Sequence, residues 1–145
     1  AKQGTDLHTS GFDQMLAYEI AKDGFIDEHI RLIQRVYRER RDVMLRALEK
    51  YFPQECTWTT PEGGLFLWAR VPEMIDTAAL LEQSVQFKVA YVPGMAFYPD
   101  PKRGRNAMRL NFSNAQPDRI EEGIRRLGAM LEQAIAEYRS DPVLA

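Results

Sequence analysis

Between positions 26 and 51 the apolar residues Ile30, Ile33, Tyr37, Met44 and Leu48 recur mostly three, four or seven apart, with arginines between them and Pro53 just past the end. That spacing predicts one long amphipathic helix. Ahead of it, "DLHTSGFDQMLAYEIAKDG" offers Thr9, Ser10 and Asp13 as caps, places Met15, Leu16 and Ile20 at helical spacing, and stops at Gly24, which predicts a shorter helix. Past Pro53 the period drops to two. The stretch 56–60 is rich in β-formers and "PEGG" is turn chemistry. In "EGGLFLWARV", Leu65, Leu67 and Ala69 then alternate with Phe66, Trp68 and Arg70, an aromatic at every second position, so two antiparallel strands are expected.

Pro72 ends the second strand, and Asp76 is placed to cap a helix carrying Leu80, Leu81 and Val85. "VAYVPG" reads as a short strand closed by a Pro-Gly breaker. In the last strand Met108, Leu110 and Phe112 point one way and Arg109, Asn111 and Ser113 the other. Pro117 suits a first helical turn, and Ile120, Ile124, Leu127, Leu131 and Ile135 form the apolar stripe of a final helix. The order of elements predicts an α+β fold, a small mostly antiparallel sheet covered by helices, with a long linking helix. One long irregular stretch remains, "PGMAFYPDPKRGRN" at 93–106; loops of that size are often functional and otherwise mobile.

With 145 residues, 45% hydrophobic and 28% charged, the chain has the profile of one globular domain. A net charge of -2 and a pI near 5.7 give no support for a broad nucleic-acid surface. The apolar runs are too short to span a bilayer and no signal peptide opens the chain, so a cytoplasmic location is expected. The single cysteine, Cys56, excludes an internal disulfide framework, and His8 and His29 lack metal-ligand spacing. The arginines of the long helix, Arg31, Arg35, Arg38, Arg40, Arg41 and Arg46, are interleaved with Glu28, Glu39, Asp42 and Glu49. A solvated face accounts for them better than a phosphate site.

No nucleophile triad, phosphate-cradling loop or zinc spacing is present. What stands out is Arg109, set between apolar residues on a short strand, where a guanidinium is expensive to bury without a partner. One reading is an internal salt bridge. The other is that its planar fork awaits a carboxylate, held through two parallel charge-assisted hydrogen bonds, with Asn111 and Ser113 extending a polar floor on the same face.

Four segments in order, "AKQGTDLHTSGFDQ", "PEGGLFLWARVP", "VAYVPGMAFYP" and "NAMRLNFSNAQPDRIEEGIRRLG", resemble the C-terminal part of the class I/II, fold type I pyridoxal-phosphate aminotransferases, in the branch of the 2-aminoadipate and kynurenine enzymes. The resemblance covers nearly all of the chain. It implies that Arg109, in the motif matched by "RLNFS", binds the substrate α-carboxylate, with Asn111 beside it. It implies that Gly64 lies at a turn near the substrate entrance, and that the segment containing Tyr91, Gly94 and Phe97 shapes the substrate side of the cleft. "DLHTS" resembles a stretch near the subunit interface of such dimers, helix capping being its ordinary alternative. Residues 1–25 would then close the large-domain region, and 26–145 would form the C-terminal small domain with its linking helix.

In that family the Schiff-base lysine and the other groups that hold pyridoxal 5'-phosphate precede the point where this chain starts. None of Lys2, Lys22, Lys50, Lys88 or Lys102 stands in the family's Ser-x-x-Lys context, so no catalytic residue is assigned. The resemblance therefore implies a part of a longer homodimeric enzyme that moves an amino group between an amino acid and a 2-oxo acid. By itself this part would be inactive and without bound cofactor, and no nucleic acid or membrane would be contacted through this domain. Two other readings stand beside it: the aminotransferase-like effector domain of a winged-helix transcription regulator, and a standalone binding domain.

Overall fold

The computed structural model describes residues 2–100 and 102–140; the side chain of Lys2 and the last residues of the 26–145 domain lie outside the described residues. The chain forms two compact units, Ala1–Val36 and Tyr37–Ala145. The expected boundary at 25/26 falls within the first turn of the long helix, and the two units divide further along it, between Val36 and Tyr37.

The first unit holds α1, a single turn (Lys2–Thr5), then α2 (Gly11–Ala21) and the start of α3 (Phe25–Tyr51). Ser10 caps α2, its Oγ accepting from the Asp13 N–H. Gly24, at φ +79, turns the chain into α3. The apolar stripe of α2 is not buried: Phe12, Met15, Leu16, Tyr18 and Ile20 are all exposed, as are Phe25, Ile26, Ile30 and Leu32 on α3.

The second unit is an antiparallel sheet in the order β1 (Thr57–Trp58), β2 (Phe66–Arg70), β4 (Ala107–Asn111), β3 (Val92–Pro93). Its helices are the C-terminal half of α3, α4 (Thr77–Ser84) and α5 (Pro117–Ser140). Alternation decides the two faces of the sheet. Leu67 and Ala69 of β2, with Met108 and Leu110 of β4 and Phe112 just after it, join Met44 and Leu48 of α3 and Ile120, Ile124, Leu127, Leu131 and Ile135 of α5 in one core. Each such aliphatic side chain removed from water contributes about 1.5–3 kcal/mol before entropy is counted. Helices α3 and α5 approach closely because Gly128 has no side chain: a Cβ there would stand 2.1 Å from the Tyr51 carbonyl oxygen.

Three expectations are corrected. The strand read at 56–60 shortens to Thr57 and Trp58, paired with Arg70 and Ala69 of β2, and Thr59 adds a last backbone bond to the Trp68 carbonyl. Val85 does not belong to the buried face of α4; the helix ends at Ser84 and Val85 is 73% exposed. The loop at 93–106 is neither wholly irregular nor loosely held. It begins with a 3-10 turn, Gly94–Phe97, and its far end is tied down. Arg105 pairs with Asp76, whose carboxylate also caps α4 by accepting from Ala78 and Ala79. The buried hydroxyl of Thr77 lies 2.8 Å from the Arg105 carbonyl and 2.7 Å from that of Ala107, and the Asn106 amide donates to the Val71 carbonyl. Burial alone would raise the Asp76 carboxyl, but the Arg105 guanidinium and the two capping N–H groups outweigh it and hold the pKa below the ordinary value.

Among the described residues no helix is long and apolar enough to cross a membrane, and no cluster of His, Cys, Asp or Glu is arranged to hold a metal ion.

Candidate carboxylate-binding site

The sheet face turned away from α3 and α5 carries the residues of opposite parity: Phe66, Trp68 and Arg70 from β2, and Ala107, Arg109 and Asn111 from β4. The register sets Trp68 directly across from Arg109, with Phe66 across from Asn111 and Val92 of β3 flanking Arg109 on its other side. Arg109 is half-buried there. Its guanidinium carbon lies 3.9 Å from the centroid of the Phe66 ring and 4.7 Å from that of Phe97. Phe66 comes from β2 on one side of β4, and Phe97 from the 3-10 turn that follows β3 on the other.

Among the described residues no carboxylate pairs with Arg109 and no acceptor takes its N–H groups, so the internal salt bridge considered from the sequence is absent. Two aromatic rings hold the cation instead, which cation–π attraction favours at about 0.5–1 kcal/mol each where water is near. The guanidinium is thus flanked by two rings while its donors are engaged by no described residue. A carboxylate is the matching shape, since two parallel N–H···O bonds need a planar fork on both sides.

The aromatic cluster continues beyond Arg109. Trp68 meets Phe97 edge-on, centroids 5.5 Å apart at 78°, and meets Tyr98 at 6.3 Å and 61°. Arg103 caps the Tyr98 ring at 5.2 Å. Gly104, at φ +72, lies so flat on Tyr98 that a Cβ would come within 2.5 Å of the ring.

Of the residues singled out from the sequence, the fold brings Arg109 and Phe97 together. Asn111 sits one step along the same face, but its Oδ1 accepts from both the backbone N–H (2.7 Å) and the hydroxyl (2.8 Å) of Ser113, closing the turn after β4. An Arg40 N–H donates to the Ser113 carbonyl and ties that turn to α3. Gly64, at φ +79 in the turn entering β2, has open space around it and serves backbone conformation. Gly94 is buried: a Cβ there would stand 2.6 Å from the Gly104 carbonyl oxygen and 2.7 Å from the Ala107 Cβ, so it seats the 3-10 turn on the sheet.

Tyr91 does not share a sheet face with Arg109. Because Val92 pairs with Arg109, the residue before it faces the core, where the Tyr91 hydroxyl donates to the Thr77 carbonyl at 2.7 Å and burial raises its pKa. Phe66, Trp68 and Tyr98 were not picked out as site residues. For Phe66 and Trp68 the signal is the aromatic at every second position of "LFLWAR", which an ordinary strand also explains; Tyr98 has none.

No family model matches the chain. Curated relatives do. An uncharacterized aminotransferase of Saccharolobus solfataricus is 46% identical over 93% of this chain and 33% of its own length. The 2-aminoadipate transaminase of Thermus thermophilus is 40% identical over 94% of this chain and 34% of its own. Among solved structures, Pyrococcus horikoshii kynurenine aminotransferase, in complex with PMP and with kynurenine as substrate, superposes with a TM-score of 0.85 at 43% identity, covering 92% of this chain and 33% of that one. A more distant likeness, 30% identity over 86% of this chain and 25% of the relative, is to an uncharacterized HTH-type transcriptional regulator of Bacillus subtilis. The chain spans about a third of the length of the aminotransferases it matches.

Over that span the chain is homologous to aminotransferases, and its α+β architecture is that of their C-terminal domain. Those full-length enzymes use pyridoxal phosphate. The cluster around Arg109 does not by itself fit that cofactor. Its aldehyde needs a free amine and its phosphate a cradle of donors. The contacts that build the Arg109 cluster include no lysine, and Lys50 stands on the helical layer across the sheet, engaged by Glu121. The residues here fit a carboxylate.

Proposed function

We propose that this chain supplies the substrate-carboxylate end of an aminotransferase site, and that the whole protein transfers an amino group between an amino acid and a 2-oxo acid. The observation that carries the reading is Arg109, a half-buried guanidinium held by Phe66 and Phe97 with its N–H groups engaged by no described residue. The homology to 2-aminoadipate and kynurenine aminotransferases supports it. The α-carboxylate is common to every amino acid and 2-oxo acid, so one fixed arginine serves donor and acceptor alike. Gripping it in two places orients the Cα–H bond toward groups contributed from elsewhere in the protein, a positioning role.

In this reading the small domain comprises 26–145 and residues 1–25 belong with the large domain. Gly64 and Asn111 border the substrate entrance, and Tyr91 and Gly94 brace it from behind. The whole protein is a homodimer working in the cytoplasm, where the free buried Cys56 is at home, and it uses this domain for neither nucleic acid nor membrane.

The test is the whole protein with Arg109→Lys, which keeps the charge and loses the fork. A loss of one or two bonds to a charged group, about 1.5–3 kcal/mol, raises the Michaelis constant for the amino acid roughly ten- to a hundredfold. An unchanged Michaelis constant and rate would remove the assignment.

The likeness to the Bacillus subtilis regulator favours a second reading, an effector domain that grips an amino acid through the same arginine without turning it over. Assays of turnover and of specific DNA binding on the whole protein separate the two.

A further inference from the structure

We infer that Phe97 is a positioning residue for Arg109, and that Trp68 sets where Phe97 stands. Phe97 follows β3 in a 3-10 turn that no main-chain ladder holds beyond Pro93, so its place has to come from packing. Two contacts supply it. Gly94 at the start of the turn is seated against Gly104 and Ala107 with no room for a side chain, and the Trp68 ring braces Phe97 edge-on. Trp68 lies directly across the ladder from Arg109, so the residue that fixes Phe97 is itself fixed to the strand bearing the cation.

The consequence is an arginine with limited freedom. A guanidinium on a long side chain ordinarily loses rotamer entropy when a ligand arrests it. Here the Phe66 and Phe97 rings arrest it beforehand. Phe97 remains 44% exposed, so the same ring also walls the approach to the cation. The inference rests on the carboxylate reading of Arg109.

The experiment uses the whole protein and a simple probe, 3-phenylpropanoate, with its neutral amide as control, and binding is measured by titration calorimetry. Phe97→Ala weakens the carboxylate about three- to tenfold, leaves the affinity for the amide in place, and does not shift the melting temperature; Phe97→Tyr, which keeps the ring, restores wild-type affinity. Trp68→Leu weakens the carboxylate in the same sense although it does not touch Arg109 through a ring contact.

If Phe97→Ala leaves carboxylate affinity unchanged while Arg109→Lys lowers it, the positioning role is wrong and the carboxylate reading stands. If Arg109→Lys is also without effect, the reading falls and the inference with it. Equal losses for carboxylate and amide, or no recovery with tyrosine, would make Phe97 an ordinary packing residue and overturn the inference.

Discussion

The guanidinium carbon of Arg109 and the ring of Phe66 stand 3.9 Å apart on neighbouring strands, each two residues from the other's direct partner in the ladder. A cation on an antiparallel sheet is thereby stabilised without an anion. An ion pair at this position would hold the arginine equally well, but an incoming carboxylate would then have to displace it. The aromatic contact leaves the donors engaged by no described residue, which is the arrangement the proposed carboxylate-binding role requires.

Gly94 and Gly63 give opposite expectations for the same substitution. Gly94→Ala places a Cβ 2.6 Å from the Gly104 carbonyl oxygen and 2.7 Å from the Ala107 Cβ, so backbone has to move. Destabilisation of about 1–3 kcal/mol follows, with Phe97 shifted off Arg109. Gly63→Ala meets nothing within 4 Å and stays within about 0.5 kcal/mol. Urea denaturation of the two variants checks this; equal stabilities would refute the close packing of the 3-10 turn.

Thr77 is a polar residue buried completely for a structural reason. Its hydroxyl serves the carbonyls of Arg105 and Ala107, and its own carbonyl accepts from Tyr91. Thr77→Val keeps the shape and removes the hydroxyl, leaving a buried acceptor short of a donor, with a loss of about 1–3 kcal/mol. Tyr91→Phe breaks the second link with a smaller loss, about 1 kcal/mol. Because the two share Thr77, the double variant should lose less than the sum of the singles, which a double-mutant cycle in urea measures.

Cys56 makes stability fall at alkaline pH. Burial raises its thiol from the ordinary 9.0 to about 11, with the nearby Glu55 carboxylate adding to the shift. The folded state therefore keeps the proton longer than the unfolded one. Stability is complete below pH 9, where both states are protonated, and declines between about 9 and 11 as the unfolded thiol ionises first. Tyr91, raised by burial, extends the loss to higher pH. Chemical denaturation at a series of pH values should show the decline in the wild type and less of it in Cys56→Ala. A native thiol that alkylates at pH 8 as fast as in denaturant would contradict the burial.

The first unit leads to an expectation about the isolated chain. Phe12 (74% exposed), Met15 (69%) and Tyr18 (65%) stand in water along α2, with Phe25, Ile26 and Leu32 exposed at the start of α3. Large apolar side chains exposed in this number favour association. Sedimentation velocity on the 145-residue chain should show concentration-dependent self-association, reduced by Phe12→Gln with Met15→Gln. A single monomeric boundary up to high concentration would count against it.

Much of the fold was legible in short-range pattern. The stripe from Ile120 to Ile135 is buried as its spacing predicts, Met108 and Leu110 face the core, and Asp76 and Ser10 cap the helices they precede. These features follow from periods of 3.6 and 2 and from local hydrogen bonds, which neighbouring residues settle among themselves. The apolar stripe of α2 was legible too, though a pattern states only which side seeks burial and not what buries it.

The site was legible in part. That Arg109 stood out follows from its chemistry: a guanidinium among apolar strand residues demands an explanation wherever it lies. Whether a carboxylate of the chain already satisfies it, and that Phe66 and Phe97 hold it while Tyr91 turns away, was decided by the β2–β4 register and by the seating of Gly94. Those are contacts between segments distant in sequence, and a single-residue change of register would put every one of these side chains on the opposite face. The sequence by itself therefore determined the elements, the core and the identity of the cation. Only the tertiary structure decided that the cation has no carboxylate partner among the described residues and is held by rings, because that is a relation among three separate segments.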